Sequence, residues 1–319
     1  MSLTAVIPAA GRGLKPYPAW DSVHKQLHPI VDRDGVAKPV LQILAEDAFA
    51  AGCDRIVLVV SPGEDAEYRH LLRVLAETMQ LAPASSPQQR TQGIWLEDLL
   101  DRLQFAIQEQ PLGLGHALWC ARALVRSPRF LVMLSDHLPL SHAQDHLPCA
   151  QQLLQRAANL PGPVSLVEPL PEHLLHRYGV AAGVPVSGDD RLWTVSRLIE
   201  KPSPTQAELE LETPGLRRGE YLGLSCMHLL PVEVLDRIDE HLATTQPGAG
   251  DLTPVLDAMA RSATYHALRV EGVHQDIGTA FGLIEAQIER ALIGLDRERM
   301  LAQLVDIFAR DARREGRRR

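Results

Sequence analysis

Gly11, Gly13, Lys15 and Lys25 follow a short apolar run, and together they carry the chemistry of an anion site. Residues 3–8 read as a strand that empties into the loop Ala9-Ala10-Gly11-Arg12-Gly13-Leu14-Lys15. Glycine lets backbone N–H groups approach an anion closely, and the lysines neutralise it. The glycine spacing fits neither G-x-G-x-x-G nor G-x-x-x-x-G-K-[ST], so the dinucleotide fingerprint and the P-loop are both excluded. A tight turn with two surface lysines is the competing reading.

Three more clusters fall where strands are expected to end, which is where open α/β sheets bind ligands. Gln108-Glu109-Gln110-Pro111-Leu112-Gly113-Leu114-Gly115-His116-Ala117 is a strand end, a glycine loop and a helix start. Its backbone and the Gln108 amide suit the edge of a planar base; plain close packing of a connection explains the glycines equally well. Asp136 closes an apolar run and is placed to meet a hard cation with phosphate oxygens, or to cap a turn. His137 reads as a neighbour rather than a ligand. Glu200-Lys201-Pro202 sets an acid beside a base, and Asp276-Ile277-Gly278 brings a second carboxylate, which alone reads as a helix cap. Two strand-end aspartates, several lysines and two glycine loops are the parts of a nucleotide–metal–phosphate site. Phosphoryl-type transfer needs charge neutralisation and positioning more than a strong base. No G-x-S-x-G elbow, H-E-x-x-H pair or Cys/His cluster occurs.

Those clusters need a scaffold, and the periodicity supplies one. Strands are expected at 3–8, 56–60, 105–107, 130–134, 164–167, 193–199 and 222–227. Helices are expected at 36–51, 64–80, 115–125, 251–261 and over 279–313. The continuous run Ile56-Val57-Leu58-Val59-Val60 marks a strand buried on both faces. Residues 82–93 read as a polar surface loop and 203–219 as a mobile connection. The alternation points to an α/β fold, a mostly parallel sheet with helices on both faces.

Composition narrows the function classes. A net charge of −8 argues against a general nucleic-acid binder. No apolar run approaches the ~20 residues of a membrane span, and no leader precedes residue 3, so a cytoplasmic protein is expected. The four widely spaced cysteines, Cys53, Cys120, Cys149 and Cys226, read as reduced thiols. The basic tail 313–319 reads as a solvated end.

In their order, these clusters resemble those of the sugar-1-phosphate nucleotidyltransferases, most closely the uridylyltransferase branch. The resemblance runs from about residue 3 to about 295. Residues 5–13 are similar to the family's opening loop, and His24-Lys25-Gln26-Leu27-His28-Pro29 to its P-K-E-M-L-P segment. Gly113-Leu114-Gly115-His116-Ala117 matches that branch's G-L-G-H-A without change. Leu134-Ser135-Asp136, Tyr178-Gly179-Val180, Glu200-Lys201-Pro202, Gly248-Ala249-Gly250-Asp251 and Asp276-Ile277-Gly278 follow in sequence order.

The resemblance implies a Rossmann-like, GT-A-like fold with a small β insertion, and a reaction joining an NTP and a sugar 1-phosphate into an NDP-sugar and pyrophosphate with Mg²⁺. It divides the chain into a nucleotidyltransferase domain at 1–278 and a C-terminal helical segment with a basic tail at 279–319. Within the domain, about 1–140 would bind nucleotide and about 141–278 sugar. Ala9, Ala10, Gly11 and Gly13 would hold the triphosphate, with Lys15 and Lys25 offsetting charge. Gln108 and Gly113 would read uracil. Asp136 and Asp276 would hold the Mg²⁺, Glu200 and Gly179 the sugar, and Lys201 its phosphate. UTP and glucose 1-phosphate are the expected substrates, with dTTP the alternative, and a homodimer or homotetramer is expected. Neither nucleic acid nor membrane is an expected partner.

The chain departs from that pattern in its loop, where Leu14-Lys15 replace the family's Thr-Arg. Lysine keeps the charge but lacks the guanidinium fork. Trp20-Asp21 stand for Thr-Lys, His137 follows the metal aspartate, and residues 33–39 are an insertion that marks a side branch. The alternative is a catalytically weak homologue that binds a nucleotide sugar as a regulatory subunit.

Overall fold

The computed structural model describes residues 2–11, 24–244, 250–262 and 264–316. In chain order the strands are β1 (Thr4–Pro8), β2 (Pro29–Val31), β3 (Ala37–Pro39), β4 (Arg55–Val60), β5 (Leu103–Ile107), β6 (Arg129–Met133), β7 (His137–Ser141), β8 (Val164–Pro171), β9 (Gly179–Pro185), β10 (Leu192–Glu200), β11 (Glu220–Pro231), β12 (His266–Leu268) and β13 (Gly272–Asp276). The helices are α1 (Val40–Ala50), α2 (Glu64–Leu81), α3 (Pro87–Arg102), α4 (Leu114–Cys120), α5 (Cys149–Ala157), α6 (Pro204–Glu210), α7 (Glu233–Thr244), α8 (Thr253–Ser262), α9 (Gly282–Ile293) and α10 (Arg297–Gly316).

Nine strands form one sheet in the order β5-β4-β1-β6-β11-β8-β12-β10-β9. The run β5-β4-β1-β6 is parallel, as its continuous apolar segments require. β11 then runs antiparallel to both β6 and β8, so the second half of the sheet is mixed. Successive residues of β1 serve opposite faces. Ala5 and Ile7 join the core under α1, α2, α3 and α5, while Val6 joins the core under α4, α7 and α8. This is the expected α/β architecture with helices on both faces, but the sheet is mixed rather than mostly parallel, with four parallel and five antiparallel pairings.

Several stretches differ from the sequence reading, and α5 and α7 stand where it placed no element. Much of the expected surface loop at 82–93 is helix: α3 starts at Pro87, capped by Ser86, whose hydroxyl accepts from Gln89 N–H while the Gln89 side chain bonds back to Ser86 N–H. The expected connection at 203–219 contains α6, built the same way with Ser203, Pro204 and Gln206. The helix expected from residue 36 starts at Val40, because 37–39 pair with 29–31 as a hairpin.

Three elements near the sheet's end matter for the site. β7 and β13 form a separate antiparallel ribbon in which Asp276 pairs with His137. Arg290 on α9, 2% exposed, pins that ribbon to the 29–39 hairpin by donating to Asp32 Oδ1 at 2.6 Å and to the Pro139 carbonyl at 2.7 Å. α10 keeps Val305, Ile307 and Phe308 exposed. All four cysteines are free; Cys53, Cys149 and Cys226 are buried, and burial pushes the Cys53 and Cys226 thiols up to about 12. No described helix is long and apolar enough to cross a membrane.

Candidate active site

A cavity of about 370 Å³ opens at the carboxyl ends of β1, β5 and β6 and extends across β10 and β11. Its wall includes Gly11, Lys25, Gln108, Gly113, Asp136, Gly179, Glu200 and Lys201. Eight sequence-predicted site residues, spread over nearly two hundred positions, thus meet at one cleft. Ala9 and Ala10 lie outside its wall. Ala9 N–H donates to Val59 and the Ala10 carbonyl accepts from Ser61, so these residues fasten the loop to β4. Gly13 and Lys15 fall outside the described residues.

Lys25 sits on a single 3₁₀ turn at 25–27, which would be poorly held on its own. A buried relay fixes it. Tyr68 OH donates to Gln26 Oε1 at 2.6 Å, Gln26 Nε2 donates to Ser135 Oγ at 2.8 Å, and Ser135 Oγ donates to the Pro8 carbonyl at 2.5 Å. One chain of bonds therefore joins α2, the Lys25 turn and the ends of β1 and β6.

The base-side wall is backbone packed on backbone. Gly113 has φ +124, and a Cβ there would lie 2.6 Å from the Gly250 carbonyl. Gly250 N–H donates to the Leu112 carbonyl and the Gly250 carbonyl accepts from His116 N–H. The glycine loop packs tightly, as the packing reading expects, and it also lines the cleft.

On the opposite wall, Gly179 makes room for an acid. A Cβ at Gly179 would sit 2.9 Å from Leu224 Cδ1 and 3.0 Å from Glu200 Oε2. Glu200 Oε2 accepts from Thr253 Oγ1 at 2.7 Å and its Oε1 lies 3.5 Å from Lys201 Nζ. Lys201 itself has φ +46, a conformation that costs a non-glycine residue about 1–2 kcal/mol. Its N–H donates to the Tyr178 carbonyl, which holds the turn. Gly179→Ala is expected to displace Glu200 and, where these residues hold the sugar as the resemblance implies, to lower kcat/KM about tenfold through KM for that substrate. Steady-state kinetics at saturating nucleotide would show it.

The two aspartates meet. A Cβ built on Gly278 would lie 3.1 Å from Asp276 Oδ1 and 3.6 Å from Asp136 Oδ2, so both carboxylates lie close to Gly278. Ile277 N–H donates to the Asp136 carbonyl, continuing the β7–β13 ribbon. Asp276 Oδ1 accepts from Gly278 N–H, and Oδ2 from Arg177 Nη2 at 2.5 Å. Arg177 also lines the cleft. Sequence reasoning missed it, as it missed Thr253 and His228. Their only local signals were proximity to Tyr178-Gly179, to Gly250-Asp251 and to the β11 strand.

His228 forms part of the floor, 3% exposed, where β11 shifts register between Leu224 and His228. Its Nδ1 is 2.5 Å from Ser165 Oγ, which is 2.6 Å from Tyr265 OH. Burial brings the imidazole down from 6.5 to about 4, so it is neutral at pH 7. Between those values the unfolded chain binds the extra proton. Stability from this group is full above pH 6.5 and falls as pH drops toward 4. Wild type is expected to lose about 2 kcal/mol more than His228→Gln between pH 7 and 4.5, read by urea denaturation.

Against known proteins, the nucleotidyl transferase family model matches residues 4–291. The chain belongs to the nucleotidyl transferase family. Among curated members it is 29% identical over 293 residues to the UTP–glucose-1-phosphate uridylyltransferase of Streptococcus pneumoniae serotype 4, covering 90% of each chain. It is 29% identical over 316 residues to the UTP–glucose-1-phosphate uridylyltransferase YngB of Bacillus subtilis, covering 97% of this chain and 96% of that one. The fold is shared with a UDP-glucose pyrophosphorylase complexed with UDP-glucose, at TM-score 0.70 and 23% identity over 90% of this chain and 97% of that one. It is also shared with the UTP-bound enzyme of Acinetobacter baumannii, at TM-score 0.70 and 22% identity over 96% and 99%. In this nucleotidyl transferase most of the motifs that carry the sequence resemblance line the cleft, but Asp276-Ile277-Gly278 and Gly250-Asp251 do not.

Proposed function

We propose that the protein transfers a nucleotidyl group from UTP to glucose 1-phosphate, releasing pyrophosphate and forming UDP-glucose. The nearness of Asp276 to Asp136, with Asp136 in the same cleft wall as Lys25, Lys201, Glu200 and Gln108, carries this reading. The names of the curated relatives support the choice of substrates.

In the reaction an oxygen of the sugar phosphate attacks the α-phosphorus in line, and the bond to the pyrophosphate oxygen breaks. Lys25, at the nucleotide end, offsets charge on the α-phosphate. Residues Gly11, Gly13 and Lys15 cradle the departing phosphates. Gln108 and Gly113 face the base, and Glu200 accepts hydrogen bonds from sugar hydroxyls beside Gly179. Lys201 neutralises the sugar phosphate. Arg177 adds a guanidinium at the aspartate rim, a fork suited to phosphate in a chain whose opening loop has lysine where relatives' pattern has arginine. Nucleotide contacts thus fall within 1–140 and sugar contacts within 141–278.

The donor set fits Mg²⁺. The Asp136 and Asp276 carboxylates both lie close to Gly278, and no group of three or more His, Cys, Asp or Glu among the described residues forms a cage of its own. That suits an ion that takes most of its ligands from water and substrate phosphates. Asp136 and Asp276 would hold it, and it would supply charge neutralisation at the reacting phosphates.

Pyrophosphate release over a panel of NTPs and sugar 1-phosphates with Mg²⁺ tests the proposal. UTP with glucose 1-phosphate is expected to be the best pair. Release with no pair, despite tight UDP-glucose binding, would make the protein a regulatory binder instead.

A further inference from the structure

His116 lies behind the cleft wall, one turn into α4, and does not line the cavity. Its contacts nevertheless decide what the cleft presents to a base. Gln108, at the end of β5, is 4% exposed and has its amide nitrogen 3.2 Å from the Gly113 carbonyl and 2.9 Å from His116 Nδ1. A carbonyl can only accept, so the amide nitrogen, not the amide oxygen, must face Gly113. The second amide hydrogen then goes to His116 Nδ1, which must be bare. The ring proton is left on Nε2, which faces Cys120 Sγ at 3.8 Å. The ring is held by stacking on Trp119, with centroids 5.9 Å apart and planes 18° apart, and Arg122 covers Trp119. Burial favours the neutral ring, although the Gln110 carbonyl pulls the other way.

Both hydrogens of the Gln108 amide are therefore used inside the wall. The group left for a ligand is Oε1, which accepts no hydrogen bond from the described residues. Of the Gln108 amide, the cleft is offered the acceptor and not the donor. Uracil and thymine carry an N–H at ring position 3; cytosine carries a lone pair there. We propose that His116 is a positioning residue that locks Gln108 acceptor-outward, and so selects uracil or thymine over cytosine. This inference rests on the nucleotidyl-transfer reading above.

The test compares UTP and CTP in the wild type, His116→Phe and His116→Asn, by kcat/KM with glucose 1-phosphate and by calorimetric affinity for UMP and CMP. Phenylalanine keeps the stack on Trp119 but removes the acceptor. The UTP-over-CTP ratio is expected to fall by about tenfold or more, the size of one well-aimed hydrogen bond. The loss should fall on KM for UTP more than on kcat. Asparagine, whose side-chain oxygen can accept, should restore most of the ratio. An unchanged ratio in folded His116→Phe overturns the proposal; should that variant not fold, His116→Ala is read the same way. A wild type that releases pyrophosphate with no nucleotide overturns the functional reading instead, and the UMP-over-CMP affinity ratios of the same variants then decide on His116.

Discussion

Asp136→Asn is expected to lower kcat about a thousandfold while the protein stays folded, because on the proposed function it removes a charge at the reacting phosphates without changing shape. The Asp136 carbonyl keeps its bond from Ile277 N–H in this variant, so the ribbon is undisturbed. Asp276→Asn should cost as much activity and also some stability. It weakens the ion pair with Arg177, whose side chain is 28% exposed against 11% for Asp276. Divalent-cation affinity, followed by Mn²⁺ titration in the presence of UTP, should fall in both variants. Turnover within tenfold of wild type in Asp136→Asn would remove the cation from this rim.

The largest stability effect is expected at Arg290. Burial alone would raise the Asp32 carboxyl, but the charges of Arg290 and Lys38 outweigh it and hold it below its ordinary value. Arg290→Ala leaves Asp32 buried with Lys38 Nζ, at 3.1 Å, its remaining cation. It also strips the Pro139 carbonyl of its donor. Breaking a buried pair from one side costs about 3–5 kcal/mol, and urea denaturation should show a loss in that range. A loss under about 1 kcal/mol would mean that Lys38 and its other partners, Asp34 and Glu46, already carry the site.

How much of this was legible in the sequence depends on range. Continuous apolar runs such as 56–60 and 130–134 announced the parallel core, and the polar groups just past them announced the cleft, because a strand's end is fixed by its own residues. Four helices, α3, α5, α6 and α7, have no counterpart in the sequence reading, and two of them share one cause. Pro87 and Pro204 read as breakers, yet each stands at the first helical position behind a serine cap, where proline is favoured. β13 was missed because only Gln275 in it is fully buried, so no apolar alternation marks it. Arg177 lies on a short 3₁₀ turn with no period to read. The meeting of the two aspartates depends on pairing between residues some 140 positions apart, which local pattern does not encode; the resemblance to a family supplied it.

The β7–β13 ladder makes the aspartate pair a matter of parity. Asp276 faces Asp136 because a five-rung register carries it there, and side chains in a strand alternate between faces. Adding a single residue within 272–275 would turn the Asp276 carboxylate to the opposite face; adding two would return it. Descendants of this chain are thus free to lengthen the loops on either side, whereas odd-numbered changes inside the ribbon are closed to them.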